Sequence, residues 1–333
     1  MADDRVEEII SKFLLDTSQQ NQRPNFFVSV AALSCVALIS THPSDDEEVD
    51  FIPLTTGSVA EFYIQPMMSC FGDIDIMFHR NDWLAIPPGT RPPTQLSADF
   101  HSRVQVYDII DSEFPGYVYL VSYYLLTECS DDGDYNAVQC KRQCVYSSKS
   151  HDLTHGPARL CNLPIPQEPL LVRRVTESEF SMDGVPCMRC LSWPPQAADW
   201  PTRQRNYGWP DSATVDLVVS NGCDVVRVAH RQSRQHEWMN KYQWRLSFSR
   251  AEVLLLNSWM PVQQIVYHVL RLTVKTERLL DITDNTGSNI FSNYHIKTLM
   301  LWACELKPRH WWTEDFNVVR ICVELLQDRK SVV

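Results

Sequence analysis

The chain has 333 residues, a hydrophobic content of 44% and a formal net charge of −11 at pH 7. This composition excludes a disordered chain, and the length allows two lobes with sizeable cores. The longest apolar stretch, residues 26–39, is too short to span a membrane and is better interpreted as a buried helix. The chain begins without the basic residues of a signal peptide, and its eleven cysteines are scattered. We therefore expect reduced thiols and a cytoplasmic protein.

The predicted elements are mixed α/β first and helical second. An amphipathic helix is predicted over residues 5–17, a more apolar helix over 26–40 and an acidic loop over 44–50. Alternating or Tyr- and Val-rich residues predict strands over residues 48–54, 72–78, 116–126 and from 180 to before Pro194. Capping residues predict a helix that starts at Ser249. Pro261 predicts the start of a helix that ends near residue 280, and Ser292 or Asn293 caps a helix that ends at residue 306. A last helix is predicted from Thr313 to near residue 327.

Asp73 and Asp75 carry the clearest chemical signal. They begin an alternating stretch that runs to Phe78, and residues two apart on a strand lie on the same face. Two neighbouring carboxylates of this kind are typical ligands of Mg²⁺, which they hold together with substrate phosphates. Upstream, Gly57 and Ser58 can supply a flexible turn and a hydroxyl for those phosphates. The alternative is a solvent-facing strand edge with two acids.

Asp183 lies on a second alternating stretch. Alone it is an ordinary strand residue, but a two-metal site needs a third carboxylate near the first two. On the same stretch, Cys187 and Cys190, together with Cys140 and Cys144, suggest a zinc site. Because an offset of three puts Cys187 and Cys190 on opposite faces of a strand, we favour buried thiols and expect no structural zinc.

Two strings in the second half suggest nucleotide contacts. Within Trp244 to Ser249, a guanidinium and two hydroxyls are predicted to share one face, where they suit a base or a phosphate: Arg245, Ser247 and Ser249. Ser249 and Glu252 also form a capping box, and the two roles are compatible.

The helix that starts at Ser292 can hold a phosphate at its N-terminus, with Tyr294 stacked on a base. The alternative is an ordinary capped core helix with Lys297 in solvent.

Residues 227–250 are basic although the chain is acidic overall. Arginines and lysines outnumber acids six to one in this segment, which suggests a local basic surface built from Arg227, Arg231, Arg234 and Lys241. A solvated loop with a few arginines is the alternative interpretation.

From Gly57 to the C-terminus, the chain resembles the cyclic GMP-AMP synthase-like receptors of the Mab-type nucleotidyltransferase superfamily, and we expect it to come from an invertebrate animal. The resemblance lies in the order of seven strings: Gly57-Ser58, Asp73 to Phe78, Gly156-Pro157-Ala158, Phe180 to Asp183, Ser192-Trp193-Pro194, Trp244 to Ser249 with Glu252, and Ser292 to Thr298. The last two strings are the most specific.

The resemblance implies an α+β, bilobal nucleotidyltransferase fold with a mixed twisted sheet, flanking helices and a C-terminal helical lobe. It implies a core over residues 1–200, a helical lobe over 201–333, an N-terminal helix that bridges them and an active site in the cleft. The implied reaction joins two nucleoside triphosphates (ATP, GTP or UTP) into a cyclic dinucleotide with two Mg²⁺ or Mn²⁺ ions. The product would act on a downstream receptor in innate immune signalling.

The resemblance also implies residue roles. The metal ligands and catalytic residues are Asp73, Asp75 and Asp183. Asp183 is also implied to be a candidate proton acceptor. The implied nucleotide contacts are Ser58 on the triphosphate, Arg245, Ser247, Ser249 and Glu252 on the nucleotides, Arg271 and Ser292 on phosphate, and Tyr294 stacked on a base.

One departure from the vertebrate enzyme concerns the activator. Residues 252–306 contain a single cysteine, Cys304, so the cysteine-rich zinc thumb of that enzyme is missing. Thumbless receptors favour double-stranded RNA, which a basic face would recognise through its backbone and shape.

Two other functions remain open at this stage. Many Mab-type proteins have lost the carboxylates and are scaffold or developmental proteins, and an oligoadenylate synthetase-like polymerase shares the same core. The three aspartates and Ser58 favour an active cyclase.

Overall fold

The computed structural model describes residues 9–12, 51–56, 73–129, 133–145, 154–155, 158–160, 181–235, 237–277, 292–313 and 317–327. Of the predicted first helix, residues 9–12 are described and are helical. The predicted helix over residues 26–40 and the acidic loop lie outside the described residues. Gly57 and Ser58 lie outside them as well.

Ten strands are described, all in one sheet: β1 Phe51–Thr56, β2 Asp73–Ile86, β3 Arg103–Asp111, β4 Tyr117–Glu128, β5 Tyr135–Gln139, β6 Thr154–His155, β7 Ala158–Leu160, β8 Ser181–Cys190, β9 Cys223–Val226 and β10 Gln243–Ser247. All four strands predicted from the sequence are confirmed. The strand that begins at Asp73 runs eight residues beyond its predicted end, to Ile86.

Six of these strands pair with one another in a closed ring. β2 pairs in parallel with β3 and with β8, and antiparallel pairings lead from β3 through β4, β10 and β9 back to β8. Every one of the six contributes alternate residues to a single buried cluster, which includes Ala85, Ile109, Leu120, Trp244, Val225 and Met188. This cluster fills the interior of the ring. Because side chains alternate between the two faces of a strand, the residues between those of the cluster lie on the outer face, where they can form a site.

β9 and β10 lie between β4 and β8 in the sheet and join them. The chain after residue 200 therefore completes the ring. The mixed sheet and the flanking helices confirm the α+β prediction. The division of the chain into residues 1–200 and 201–333 stays a prediction.

The described helices follow the strands mainly in the second half: α1 Asp199–Thr202, α2 Ser212–Ser220, α3 Glu237–Tyr242, α4 Ser249–Asn257, α5 Pro261–Thr276, α6 Asn293–Leu306, α7 Arg309–Thr313 and α8 Val318–Gln327. A second core forms where α5 packs against α6 and α8, with Val266, Met300 and Ile321 fully buried. Ser11 Oγ accepts a hydrogen bond of 2.9 Å from the Val318 backbone, so the N-terminal helical residues contact this core. No helix among the described residues is both long and apolar enough to cross a membrane.

Three helix starts were predicted correctly and one was wrong. α4 begins at Ser249, as predicted. Pro261 is the first residue of α5, and Ser292 is the N-cap of α6. The capping box at Ser249 is wrong, because Phe248 is the N-cap and Ser249 is already helical. Thr313 ends α7 instead of starting the last helix; its hydroxyl donates to the backbone carbonyls of that short helix.

The last helix starts at Val318 because Asn317 supplies the cap. The Asn317 Oδ1 atom accepts a hydrogen bond of 2.9 Å from the Arg320 backbone, which satisfies one of the free N–H groups of the first turn. The predicted end of this helix, Gln327, is confirmed.

Gly222 joins α2 to β9 and has a backbone φ of +60°. A Cβ atom there would lie 2.7 Å from the carbonyl carbon of Leu191 and closer still to the carbonyl oxygen of Cys190. We expect Gly222→Ala to lower the free energy of unfolding by about 3 kcal/mol or more, since backbone overlap adds to the strain of a positive φ. Urea unfolding at constant m-value measures the loss.

Gly89→Ala is the matched control. Gly89 has a similar φ of +74°, but no atom lies within 4 Å of its Cβ position. This variant should lose only the conformational strain of about 1 kcal/mol. Equal losses in the two variants would contradict the close packing of Gly222 against β8.

Candidate active site

The register of two parallel strands brings the three predicted metal ligands to neighbouring positions. Asp75 on β2 is the Cα partner of Asp183 on β8, and Asp73 is the partner of Ser181. Cross-strand partners, and residues two apart on one strand, share a face of a sheet. Since adjacent strands are about 4.8 Å apart, the three aspartates occupy one small patch of backbone at the start of both strands.

The local sequence accounts for this placement. Ile76 and Phe78 are almost fully buried, and Phe78 packs edge-on against Phe51 of β1 with ring centroids 5.6 Å apart. The alternate residues, Asp75 and Met77, therefore occupy the other face, where Asp75 is half-buried. A shift by one residue would exchange the two faces, so burial of the isoleucine and phenylalanine side chains fixes the register of the aspartates.

A path of contacts leads from this patch to the predicted nucleotide-binding string. The Ser247 Oγ atom on β10 lies 4.0 Å from the sulfur of Met77, which is two residues from Asp75. Ser247 and Ser249 hydroxyls are 3.1 Å apart and hydrogen bonded. The two serines are adjacent, but the prediction that strand alternation puts Ser249 on the face of Ser247 is wrong, because Ser249 belongs to α4.

The path continues into the helical part of the chain through an ion pair that the sequence analysis missed. Lys297 Nζ on α6 lies 2.8 Å from Glu252 Oε2 on α4, with 13% and 20% of the two side chains exposed. The sequence pattern gave Lys297 no role in the site, and only the alternative interpretation, a capped core helix, put it in solvent. Its position three residues after Tyr294, on the same side of a helix, is the signal that could have linked it to the site.

Tyr294 and Ser292 lie at the start of α6. Tyr294 is 63% exposed, which leaves its ring accessible for stacking. The His295 Nδ1 atom accepts a hydrogen bond of 3.1 Å from the Ser292 backbone N–H, so a side chain already satisfies part of this helix N-terminus.

The two predicted arginine contacts differ in their surroundings. Arg245 is exposed on β10, two residues before Ser247 and thus on the same face of that strand. The Arg271 side chain is only 4% exposed, and its guanidinium lies 5.5 Å from the ring of Tyr267. The structure does not bring Arg271 to an open surface, and its role as a phosphate contact stays a prediction.

The predicted basic surface is only partly a surface. The Arg227 guanidinium lies 5.8 Å from the ring of Trp83 and 5.3 Å from that of Trp244, which makes it a packing residue through cation–π contacts. Arg231 is exposed and Lys241 is half-buried. Arg234 lies in a short 3₁₀ helix, Gln232–Gln235, beside Arg231.

A buried ion pair holds the start of α4 against the sheet. Arg250 Nε donates a hydrogen bond of 2.8 Å to Oδ2 of Asp224, whose side chain is fully buried on β9. Burial raises the pKa of Asp224, while Arg250 and Arg189 act in the opposite direction. Because Arg250 follows Ser249, this pair also positions the serine hydroxyls next to β2.

The cysteine prediction is confirmed in one respect. Cys187 and Cys190 belong to different buried clusters on opposite faces of β8, and all eight described cysteines are free thiols. The expectation that the chain binds no structural zinc stays a prediction.

Comparison with known proteins agrees with this geometry. Residues 141–258 match the family model described as Mab-21 protein nucleotidyltransferase domain, a range that contains β8, β9, β10 and α4. The mixed sheet with its flanking helices is consistent with the nucleotidyltransferase fold of that domain.

Similar curated proteins carry related names. Protein mab-21-like 3 of Danio rerio is 27% identical over 44% of this chain and 34% of its own length. Protein mab-21-like of Drosophila melanogaster is 29% identical over 43% of this chain and 38% of its own length, and that of Aedes aegypti is 29% identical over 41% and 36%. The matches thus span little more than a third of each of these relatives.

We expect the Lys297–Glu252 pair to stabilise the contact between α4 and α6. In a double-mutant cycle with Glu252→Gln and Lys297→Met, the coupling free energy of unfolding should be about 1 kcal/mol, because the pair is mostly shielded from water. Urea unfolding of the four proteins gives this value.

The Arg320–Glu324 pair on α8 provides the control cycle. Its atoms are 3.2 Å apart but its side chains are 32% and 42% exposed, so the coupling should be only about 0.3 kcal/mol. If the first cycle gave no more coupling than the second, the ion pair would not hold the two helices together.

Proposed function

We propose that this chain is a metal-dependent nucleotidyltransferase that joins two nucleoside triphosphates into a cyclic dinucleotide. The observation that carries the proposal is the register of β2 and β8, which pairs Asp75 with Asp183 and leaves Asp73 two residues away. Three carboxylates at adjacent positions would repel each other strongly without cations. Their hard oxygen atoms are the ligands that Mg²⁺ and Mn²⁺ prefer.

These residues fit a two-metal site. Asp73 and Asp75 would hold one ion and share the second with Asp183. When bound, the two ions neutralise the triphosphate and lower the pKa of the attacking ribose hydroxyl. The oxygen of that hydroxyl attacks the α-phosphorus of the second nucleotide, pyrophosphate leaves, and Asp183 accepts the hydroxyl proton. A second attack within the linear dinucleotide closes the ring and releases a second pyrophosphate.

The other predicted residues supply binding and orientation. The Ser247 hydroxyl contacts Met77 on the strand that carries Asp75, and the Ser249 hydroxyl is hydrogen bonded to it. Both hydroxyls can donate to a nucleotide held there. Ser58 would contact the triphosphate, and the exposed ring of Tyr294 offers a stacking surface for a base. The ion pair between Glu252 and Lys297 links the two groups of contacts.

Double-stranded RNA is the activator that we propose, in innate immune signalling in the cytoplasm. Arg231 and Arg234 are the best candidates for phosphate contacts, and the exposed Trp238 and the half-buried Lys241 follow them in the chain on α3. Arg227 is a weaker candidate, because its guanidinium packs between two tryptophan rings. The cyclic dinucleotide would then carry the signal to a separate receptor.

The first test is product formation. Purified protein with labelled ATP, GTP, UTP and CTP, Mn²⁺ or Mg²⁺ and duplex RNA should give a product that resists phosphatase. Replacing both Asp73→Asn and Asp75→Asn should reduce product by at least about 100-fold, since the charge of the metal ligands is lost while their shape is kept.

Asp216→Asn is the matched control, since it removes one carboxylate from an exposed position on α2. This variant should retain full activity. If no activator gave a product, the proposal would be contradicted and an inactive scaffold favoured. Linear 2′–5′ oligomers would instead point to a polymerase.

The second test concerns the activator. Reversing two charges with Arg231→Glu and Arg234→Glu should reduce RNA-stimulated synthesis at least about tenfold and make its salt dependence shallower, because fewer phosphates are neutralised, while synthesis without RNA changes little. The control reverses Arg91 and Arg103, which changes the net charge equally. Equal loss of stimulated and unstimulated synthesis in the first variant would contradict an RNA-binding role for this surface.

A further inference from the structure

The same two strands carry a second group of possible metal ligands, beyond the aspartates. His79 and Cys187 are Cα partners on β2 and β8, four residues further along each strand than Asp75 and Asp183. Asp224 on the next strand, β9, completes the group. All three side chains are buried, and one ligand atom from each lies within 4.8 Å of the other two.

The orientation of these groups favours coordination. Asp224 Oδ1 lies 4.0 Å from the Cys187 sulfur, while Oδ2 is held by Arg250 at 2.8 Å. The carboxylate therefore turns one oxygen toward the cluster, and the arginine fixes the other oxygen, as outer-shell partners of metal ligands do. The Nδ1 atom of His79 is enclosed and makes no hydrogen bond to any described residue. A buried polar atom in this state is costly unless something binds it.

We propose that His79, Cys187 and Asp224 bind one transition-metal ion of the zinc class, at a site separate from the magnesium site of the three aspartates. A nitrogen, a sulfur and an oxygen donor together suit Zn²⁺ and not Mg²⁺, which takes oxygen ligands. Tetrahedral Zn²⁺ with these donors needs ligand atoms about 3.3–3.8 Å apart, so the three side chains have to move slightly closer together when the ion binds. The site offers three protein ligands and leaves a fourth position.

Binding of the ion releases one proton. The Cys187 thiol loses its proton to water as the metal–sulfur bond forms, and the thiolate then offsets half of the charge of the divalent ion, while the Asp224 carboxylate is shared with Arg250. The Arg189 Nη1 atom donates to the backbone carbonyls of Cys190 and Cys223, which keeps that charge occupied outside the ligand set.

Such an ion would connect β2, β8 and β9. His79 and Cys187 form the last regular pair before the register of β2 and β8 shifts between His79 and Leu84. Four residues of strand span about 13 Å, so the ion would lie below the aspartates and not among them. Its effect would be structural: it would hold the two aspartate-bearing strands in one register, contrary to the expectation from the sequence that the chain binds no structural zinc. The inference is independent of the proposed catalytic activity.

Cobalt is a suitable probe, because a Co²⁺–thiolate bond absorbs in the near ultraviolet. The full-length protein is stripped with a chelator, supplied with excess Mg²⁺ to occupy the carboxylate site, and titrated with Co²⁺. We expect the thiolate band to saturate at one equivalent and to disappear when Zn²⁺ is added. Zinc should also raise the midpoint temperature of unfolding. A wild-type protein without the band would overturn the proposal.

The variants Cys187→Ala and Cys190→Ala distinguish cobalt binding at this site from cobalt binding by other cysteines. Both residues are buried on β8, but on opposite faces. Cys187→Ala should lose the band, and Cys190→Ala should keep it at one equivalent. His79→Gln should weaken cobalt binding at least about tenfold while leaving the thiolate in place. If Cys187→Ala kept the band, other cysteines would be the ligands and the proposal would be wrong.

Discussion

The parallel pairing of β2 with β8 is the constraint on which the rest of this structure depends. One register places Asp75 beside Asp183, and the same register places His79 beside Cys187. A slip of one residue would exchange the polar and apolar faces of a strand, which the burial of Ile76 and Phe78 prevents. The geometry of the candidate site is thus a consequence of core packing on the opposite face.

The closed ring of strands and the helices around it hold this pairing in place. β9 and β10 complete the ring and also carry Asp224 and Ser247, so the strands that stabilise the sheet supply the neighbours of the aspartates. The buried pair of Arg250 and Asp224 then fixes where α4 begins. From α4, the contact between Glu252 and Lys297 reaches the helix that carries Tyr294. Catalytic and nucleotide-binding candidates are therefore linked by one continuous series of contacts.

The sequence predicted those features that depend on local patterns. Alternation predicted β2 and β8, and the proline and serine signals predicted the starts of α5 and α6, because strand and helix periods and caps are short-range properties. It failed where a distant partner decides the outcome. Glu252 bonds to Lys297 instead of capping α4, and Arg227 packs on two tryptophans instead of forming an open basic surface. The group of His79, Cys187 and Asp224 could not be predicted, since only the ring of strands brings together residues so far apart in the chain.

The central claim, that three aspartates on two paired strands form a two-metal site for nucleotides, is tested most directly by a crystal structure with Mn²⁺ and a nucleoside triphosphate analogue that cannot react. The account predicts two anomalous-scattering peaks about 3.5–4 Å apart. Both should lie within bonding distance of the carboxylates of Asp73, Asp75 and Asp183, with the triphosphate bridging them. An ordered nucleotide with no manganese at these aspartates would contradict it.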